Sequence, residues 1–156
     1  MRRNDKEIMD PAVIEEILQQ SQVCRIALHD SEYPYIVPFN YGYHDRVLYF
    51  HSAASGKKIS LIQENNKAGF EIEYDSQIIQ HEQACKWTTK YRSVIGYGKI
   101  ECITDPEEKK KGLDKIMEHY GRSAVNVYNE KHVRDIVVLK LPIDKLTGKQ
   151  SGNWDK

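Results

Sequence analysis

Residues 35–58 read YIVPFNYGYHDRVLYFHSAASGKK, from Tyr35 to Lys58. The run from Tyr35 to Tyr43 is extended in character, and RVLYFHS, from Arg46, is a second β-rich run; only His44 and Asp45 separate them, a spacing that predicts a tight hairpin. Upstream, VCRIALH (Val23 to His29) and the turn-forming DSEYP predict another hairpin onto the same middle run. Three antiparallel strands in succession are therefore expected. Pro38 interrupts the middle one, and because proline gives no N–H to a ladder it marks an edge, a bulge or a place where backbone faces a ligand. The ligand-facing edge is the preferred reading.

Working outward, Asp10 as N-cap and Pro11 at the first helical position predict a helix with Ile14, Ile17 and Leu18 on one face. After the loop AASG, KKISLIQENN reads as a helix and KAGFEIEY as a strand. The long stretch from Gln80 to Ile103 is rich in β-branched and aromatic residues. Its Gly96 and Gly98, two apart on one face, predict close approach by another backbone or a flat ligand. Asp105, Pro106 and Glu108 open a further helix with a reciprocal cap, and Gly121 closes it. A last strand is expected from Asp135 to Leu141, followed by a polar tail, flexible from about residue 145. Six or seven strands with three helices at their margins, and no βαβ repeat, predict a mainly antiparallel α+β barrel with peripheral helices. A single domain over residues 1–156 follows from the chain length.

Lysine plus arginine balance aspartate plus glutamate at 23 each, so no global field favours nucleic acid or an anionic membrane, and any anion site must be local. No apolar run reaches the roughly 20 residues of a membrane span, and MRRNDKEIMD lacks the features of a secretory signal. A cytoplasmic location is expected. Cys24, Cys85 and Cys102 are odd in number and scattered, which fits neither a disulfide framework nor a zinc site; they read as reduced, mostly structural thiols, and no metal site is expected. His29, His44, His81, His119 and His132 lack the paired spacing of ligands and are expected at loops or the surface. Trp87 is expected to pack, and Trp154 to move with the tail.

The chemistry gathers at HSAASGKK. Ser52 and Ser55, the backbone around Gly56 and the ammoniums of Lys57 and Lys58 precede a helix whose first N–H groups lack partners, a constellation suited to a phosphate. It is not a nucleotide P-loop, which requires glycine where His51 stands and a hydroxyl where Lys58 stands. A cationic first turn opposes the helix dipole, and an anion there offsets the repulsion. Arg92 is a second candidate fork for phosphate oxygens, with Ser93 beside it as a donor on the opposite face.

Three segments in this order, YPYIVPFNYGY, LYFHSAASGKK and YRSVIGYGKI, resemble the flavin-binding split-barrel family related to pyridoxamine 5′-phosphate oxidase, and within it the 5-nitroimidazole resistance branch. The resemblance implies a six-stranded split barrel that forms a homodimer, with flavins at the subunit interface. It implies that Val37, Pro38, Phe39 and Asn40 lie along the flavin ring, that His51, Ser52, Ala53, Gly56, Lys57 and Lys58 meet its ribityl chain and phosphate, and that Tyr91, Arg92, Ser93 and Val94 contribute from the second subunit. FMN is the expected cofactor and FAD the alternative, with NAD(P)H as electron donor and a small-molecule substrate. The implied activity is a flavin-dependent oxidoreductase of nitroreductase type; a flavin- or haem-binding carrier or sensor is the rival. Nitroimidazole-reducing relatives carry histidine at the position of Lys57, which makes Lys57 the substrate-site candidate; a lysine there is less able to shuttle protons near neutral pH.

Overall fold

Asp10 Oδ1 accepts the Ala12 N–H at 2.9 Å, so helix α1 (Pro11–Gln20) begins where the sequence places it. The structure is a computed structural model that describes residues 4–122 and 125–154. Ile17 and Leu18 bury the inner face of α1 against the core. Strands β2 (Cys24–Leu28) and β3 (Tyr35–Phe39) form the expected hairpin, with Arg25 opposite Pro38.

The expected middle strand is broken. β4 (Gly42–His44) pairs not with β2 but with β5 (Val47–Ala53), and β3 and β4 end up at opposite ends of the strand order. The break falls at Asn40 and Tyr41, where Tyr41 turns fully into the core and its hydroxyl donates to the Leu18 carbonyl at 2.8 Å. The β4–β5 turn uses positive φ at Asp45 and Arg46, 46° and 62°, the backbone of a type I′ hairpin.

Helix α2 (Lys57–Glu64) leads into β6 (Lys67–Ile79), which pairs with β7 (Thr88–Lys99). Strand β8 (Glu101–Ile103) and helix α3 (Pro106–His119) follow. Asp105 caps α3 by accepting the Glu108 N–H at 2.9 Å, while the Glu108 carboxylate takes Lys111 at 2.7 Å. Gly121, with φ of 85°, ends it as expected. A short helix that the sequence reading missed, α4 (Glu130–Asp135), is capped by Asn129.

The last strand runs well past Leu141: β9 spans Ile136–Ser151, so most of the expected flexible tail is sheet. Its first half pairs with β5, and residues from Ile143 pair with β7, so this one strand turns the corner between two sheets. At that corner a Cβ on Gly98 would stand 2.1 Å from the Pro142 carbonyl oxygen, and one on Gly96 would stand 2.3 Å from the Phe70 ring. The two glycines admit backbone and ring, as their spacing implied. The strand order is β3-β2-β6-β7-β9-β5-β4, with β8 and a short β1 (Glu7–Ile8) also on β9. Nine strands are described rather than six, because one expected strand is divided and two are short. The architecture is the α+β split barrel. Its core holds Tyr41, Phe50, Leu48, Ile72 and Leu141.

Of the cysteines only Cys24 is core; Cys85 and Cys102 are exposed. No described helix is long and apolar enough to cross a membrane. Among the described residues no cluster of His, Cys, Asp or Glu could hold a metal ion.

Candidate functional site

Two open strand edges and one helix start define the candidate site. Among the described residues β3 pairs only with β2, and β4 covers β5 only over Val47–Tyr49, which leaves Phe50–Ala53 without a described neighbour on that side. Pro38, exposed on the edge strand, leaves no ladder bond unmade. The side chains of Phe39 and Phe50 meet between β3 and β5, with ring centroids 5.1 Å apart.

The first turn of α2 lies against β3. Gly56 has φ of 111°, and a Cβ there would meet nothing within 4 Å, so open space faces this turn. Among the described residues no side chain caps the helix. The amides of Lys57 and Lys58 are free, since the first intrahelical bonds are those of Ile59 and Ser60 to Gly56. The two lysines, adjacent in sequence, have different environments. Lys57 Nζ lies 2.7 Å from Asp30 Oδ2 and 5.2 Å from the Tyr35 ring centre. The hydrogen bond and charge of each partner hold the Asp30 carboxyl below its usual range and the Lys57 ammonium above its own. Lys58 Nζ sits 5.2 Å over the Phe39 ring and has no carboxylate partner among the described residues.

Alternation along β5 divides the next three candidates. His51 and Ala53 are exposed on one face, while Ser52 points to the other, with Phe50. Ser52 is only 5% exposed and its hydroxyl has no hydrogen-bond partner, a state shared among the described residues with Ser21 alone.

The β7 candidates lie elsewhere. β2 and β6 separate β7 from β3, a distance of about 14 Å at ordinary strand spacing. Along β9 the partners of Ser93 and Ser52 are Lys149 and Val137, far apart on the strand. One chain therefore does not bring Tyr91–Val94 together with β3 and α2. Tyr91 and Ser93 are half-buried, and the Val94 side chain is wholly in the core. Arg92 already has partners: Nη1 lies 3.2 Å from Glu16 Oε2 and Nε donates to Gln150 Oε1 at 3.3 Å.

Trp154 is not a loose tail residue. Lys90 Nζ and Arg92 Cζ each lie 4.1 Å from its ring centre, and its indole N–H donates to the Ser151 carbonyl. Trp87, expected to pack, is 51% exposed.

Sequence reasoning missed the residue that fixes Asn40. The Tyr120 hydroxyl, at the end of α3, accepts from Asn40 Nδ2 at 3.1 Å and from the Tyr41 N–H at 3.2 Å, and it donates to the Gln22 carbonyl. Beside it His119, expected at the surface, is half-buried: Nε2 lies 2.7 Å from the Ser21 carbonyl oxygen and the ring packs on Tyr41 at a tilt of 45°. The end of α3 thus anchors the point where the chain leaves β3. Tyr120 next to the helix-stopping Gly121 was the available signal. The other four histidines outside the candidate site, His29, His44, His81 and His132, are exposed as expected.

Residues 10–150 match the family profile of pyridoxamine 5′-phosphate oxidase. A candidate 5-nitroimidazole antibiotic resistance protein from Bacteroides thetaiotaomicron is 37% identical with a TM-score of 0.82, the alignment covering 92% of this chain and 85% of that one. An FAD and heme binding protein from Mycobacterium smegmatis has a TM-score of 0.84 at 20% identity, covering 97% and 76% of the two chains. The flavocytochrome Anf3 from Azotobacter vinelandii gives the same TM-score at 17% identity, covering 100% and 75%. The last two share the fold. No functionally curated protein matches the sequence. A profile spanning nearly the whole barrel, and a relative more than a third identical along it, lead to one conclusion: the chain belongs to the pyridoxamine 5′-phosphate oxidase family.

Proposed function

We propose that the protein binds a flavin, FMN in the first instance with FAD as the alternative, between the open edges of β3 and β5 and the first turn of α2. The observation that carries this reading is the uncapped turn at Gly56: free amides, open space and the unpaired ammonium of Lys58 converge where an anion belongs. Lys58 and the amides would hold the phosphate, the orphaned Ser52 hydroxyl is suited to the ribityl chain, and Val37 to Asn40 would lie along the ring. His51 and Ala53 stand at the exposed side of the same strand. Tyr120 keeps Asn40 in place.

A second copy of the chain would complete the site with Tyr91 to Ser93, which lie too far from β3 to serve their own chain. In that dimer Arg92 must share its guanidinium with Glu16 or release it.

Bound flavin supplies two-electron chemistry between a reduced nicotinamide and an acceptor. The 37% identity to a candidate 5-nitroimidazole resistance protein makes a nitro compound the acceptor to test first. The chain's own part is to seat the phosphate, present one ring face and keep Lys57 as a fixed cation beside it.

The test is the visible spectrum of the purified protein, followed by incubation with NAD(P)H and nitroimidazoles under anaerobic conditions. A yellow protein whose colour bleaches with NAD(P)H and returns with the nitro compound meets the expectation; a colourless protein that takes up no added flavin overturns it. The Lys57–Asp30 pair favours a second reading, a flavin- or haem-binding carrier without turnover, because a lysine held protonated does not shuttle protons near neutral pH. A protein that binds flavin but reoxidises only with oxygen supports that reading.

A further inference from the structure

At the turn end of the β2–β3 hairpin, between the end of β2, the start of β6 and the end of β7, lies a cavity of about 540 Å³, within the range of small-molecule pockets. The register of the sheet explains it. Ala27 stands opposite Gly69, and Gly69 opposite Tyr97, so two small residues in a row leave a trough. Ile36, opposite Ala27 and 63% exposed, is next in the row on one side; Tyr97, 55% exposed, bounds it on the other. The Tyr97 ring reaches back over Gly69, where a Cβ would stand 3.5 Å from the ring edge. The result is an open trough with an aromatic ring on one side.

One end of the trough is cationic. Lys67 and Lys99 are directly paired across β6 and β7, an arrangement that costs stability unless an anion lies between them. Neither has a carboxylate partner among the described residues. Two carboxylates also line the cavity, but Asp30 is neutralised by Lys57, which leaves two lysines against Asp144.

We propose that this trough binds a planar aromatic phosphate of nucleoside monophosphate size, its ring against Tyr97 and its phosphate between Lys67 and Lys99. Ring stacking on a tyrosine gives the trough its preference for flat molecules, and a dianion satisfies both ammoniums at once. The lining includes none of the residues assigned to the flavin and touches that site only through the Asp30–Lys57 pair, so the two sites are tested separately.

The experiment is calorimetric titration of AMP, and in parallel of inorganic phosphate, into the protein as purified and again after saturation with FMN. AMP is expected to bind in both cases and far more tightly than phosphate. Lys99→Met and Tyr97→Ala are each expected to weaken AMP by ~10-fold or more, with Tyr97→Phe retaining most of the affinity. Ala27→Leu, which fills the floor, is expected to abolish binding while the thermal melt stays cooperative. Equal affinity in wild type and a Lys67→Met/Lys99→Met variant overturns the proposal. So does one-for-one displacement of AMP by FMN, which would make the two sites one. A dimer that dissociates on Tyr97→Arg, in a protein that never binds AMP, assigns the trough to a second copy and also overturns it.

Discussion

Lys57 and Lys58 cannot be told apart in the sequence, and at the scale of single residues this is where the structure adds most. Asp30, far back along the chain, takes Lys57 and leaves Lys58 free. An ammonium already paired contributes less to a new anion than an unpaired one. Lys58→Ala is therefore expected to weaken FMN binding by roughly 1.5–3 kcal/mol, and Lys57→Ala by clearly less, as read from quenching of flavin fluorescence on titration. The reverse order would mean that Asp30 releases its lysine when the ligand arrives. Ser52 offers the same contrast: the motif marked it as a phosphate or ribityl donor, but only burial reveals that its hydroxyl is without a partner. Arg92 runs the other way, since a promising fork for phosphate proves to be engaged by Glu16, Gln150 and Trp154.

Among the elements, those with a local stop or start signal were legible: α1 and α3 begin at the expected Asp caps, and Gly121 ends α3. Those defined by distant partners were not. The run from Tyr35 to Tyr43 looked like one strand because its pattern hardly changes, yet Tyr41 leaves the ladder to reach the core. β9 looked finished at Leu141 because Pro142 follows and the later residues are polar. Past a bulge at Asp144, however, they pair in register with β7, which satisfies their backbone groups. Helix α4 was hidden by its length, and its support comes from α3: buried Lys109 donates to the carbonyls of Val133 at 3.1 Å and Ile136 at 2.6 Å. Lys109→Met keeps the stem but leaves two acceptors unmet. It is expected to lower the unfolding free energy by roughly 1–3 kcal/mol, measured as a shift in urea midpoint at constant slope. An unshifted midpoint would show that water replaces the ammonium.

For the whole molecule, three of the ten tyrosines act on stability at high pH. Burial, above all, pushes the hydroxyls of Tyr41 and Tyr128 well above their usual range and that of Tyr43 up to about 12. The fold thus prefers the neutral phenols. Their contribution is complete below the unfolded value near 10 and is lost as pH rises from there towards the folded one. Thermal melts are expected to fall steeply above about pH 10, and Tyr43→Phe, which removes a hydroxyl bonded to Glu15, to make that fall shallower. Identical slopes for the two proteins would place the alkaline lability elsewhere. The sequence by itself determined the barrel class, the two hairpins, the helix caps and the glycine-lysine turn, because each is written in residues close together along the chain. Only the tertiary structure decided which lysine is free, where the middle strand breaks and that Tyr91–Val94 lie apart from β3. Those outcomes depend on pairings between residues tens of positions apart, and no local pattern encodes such a partner.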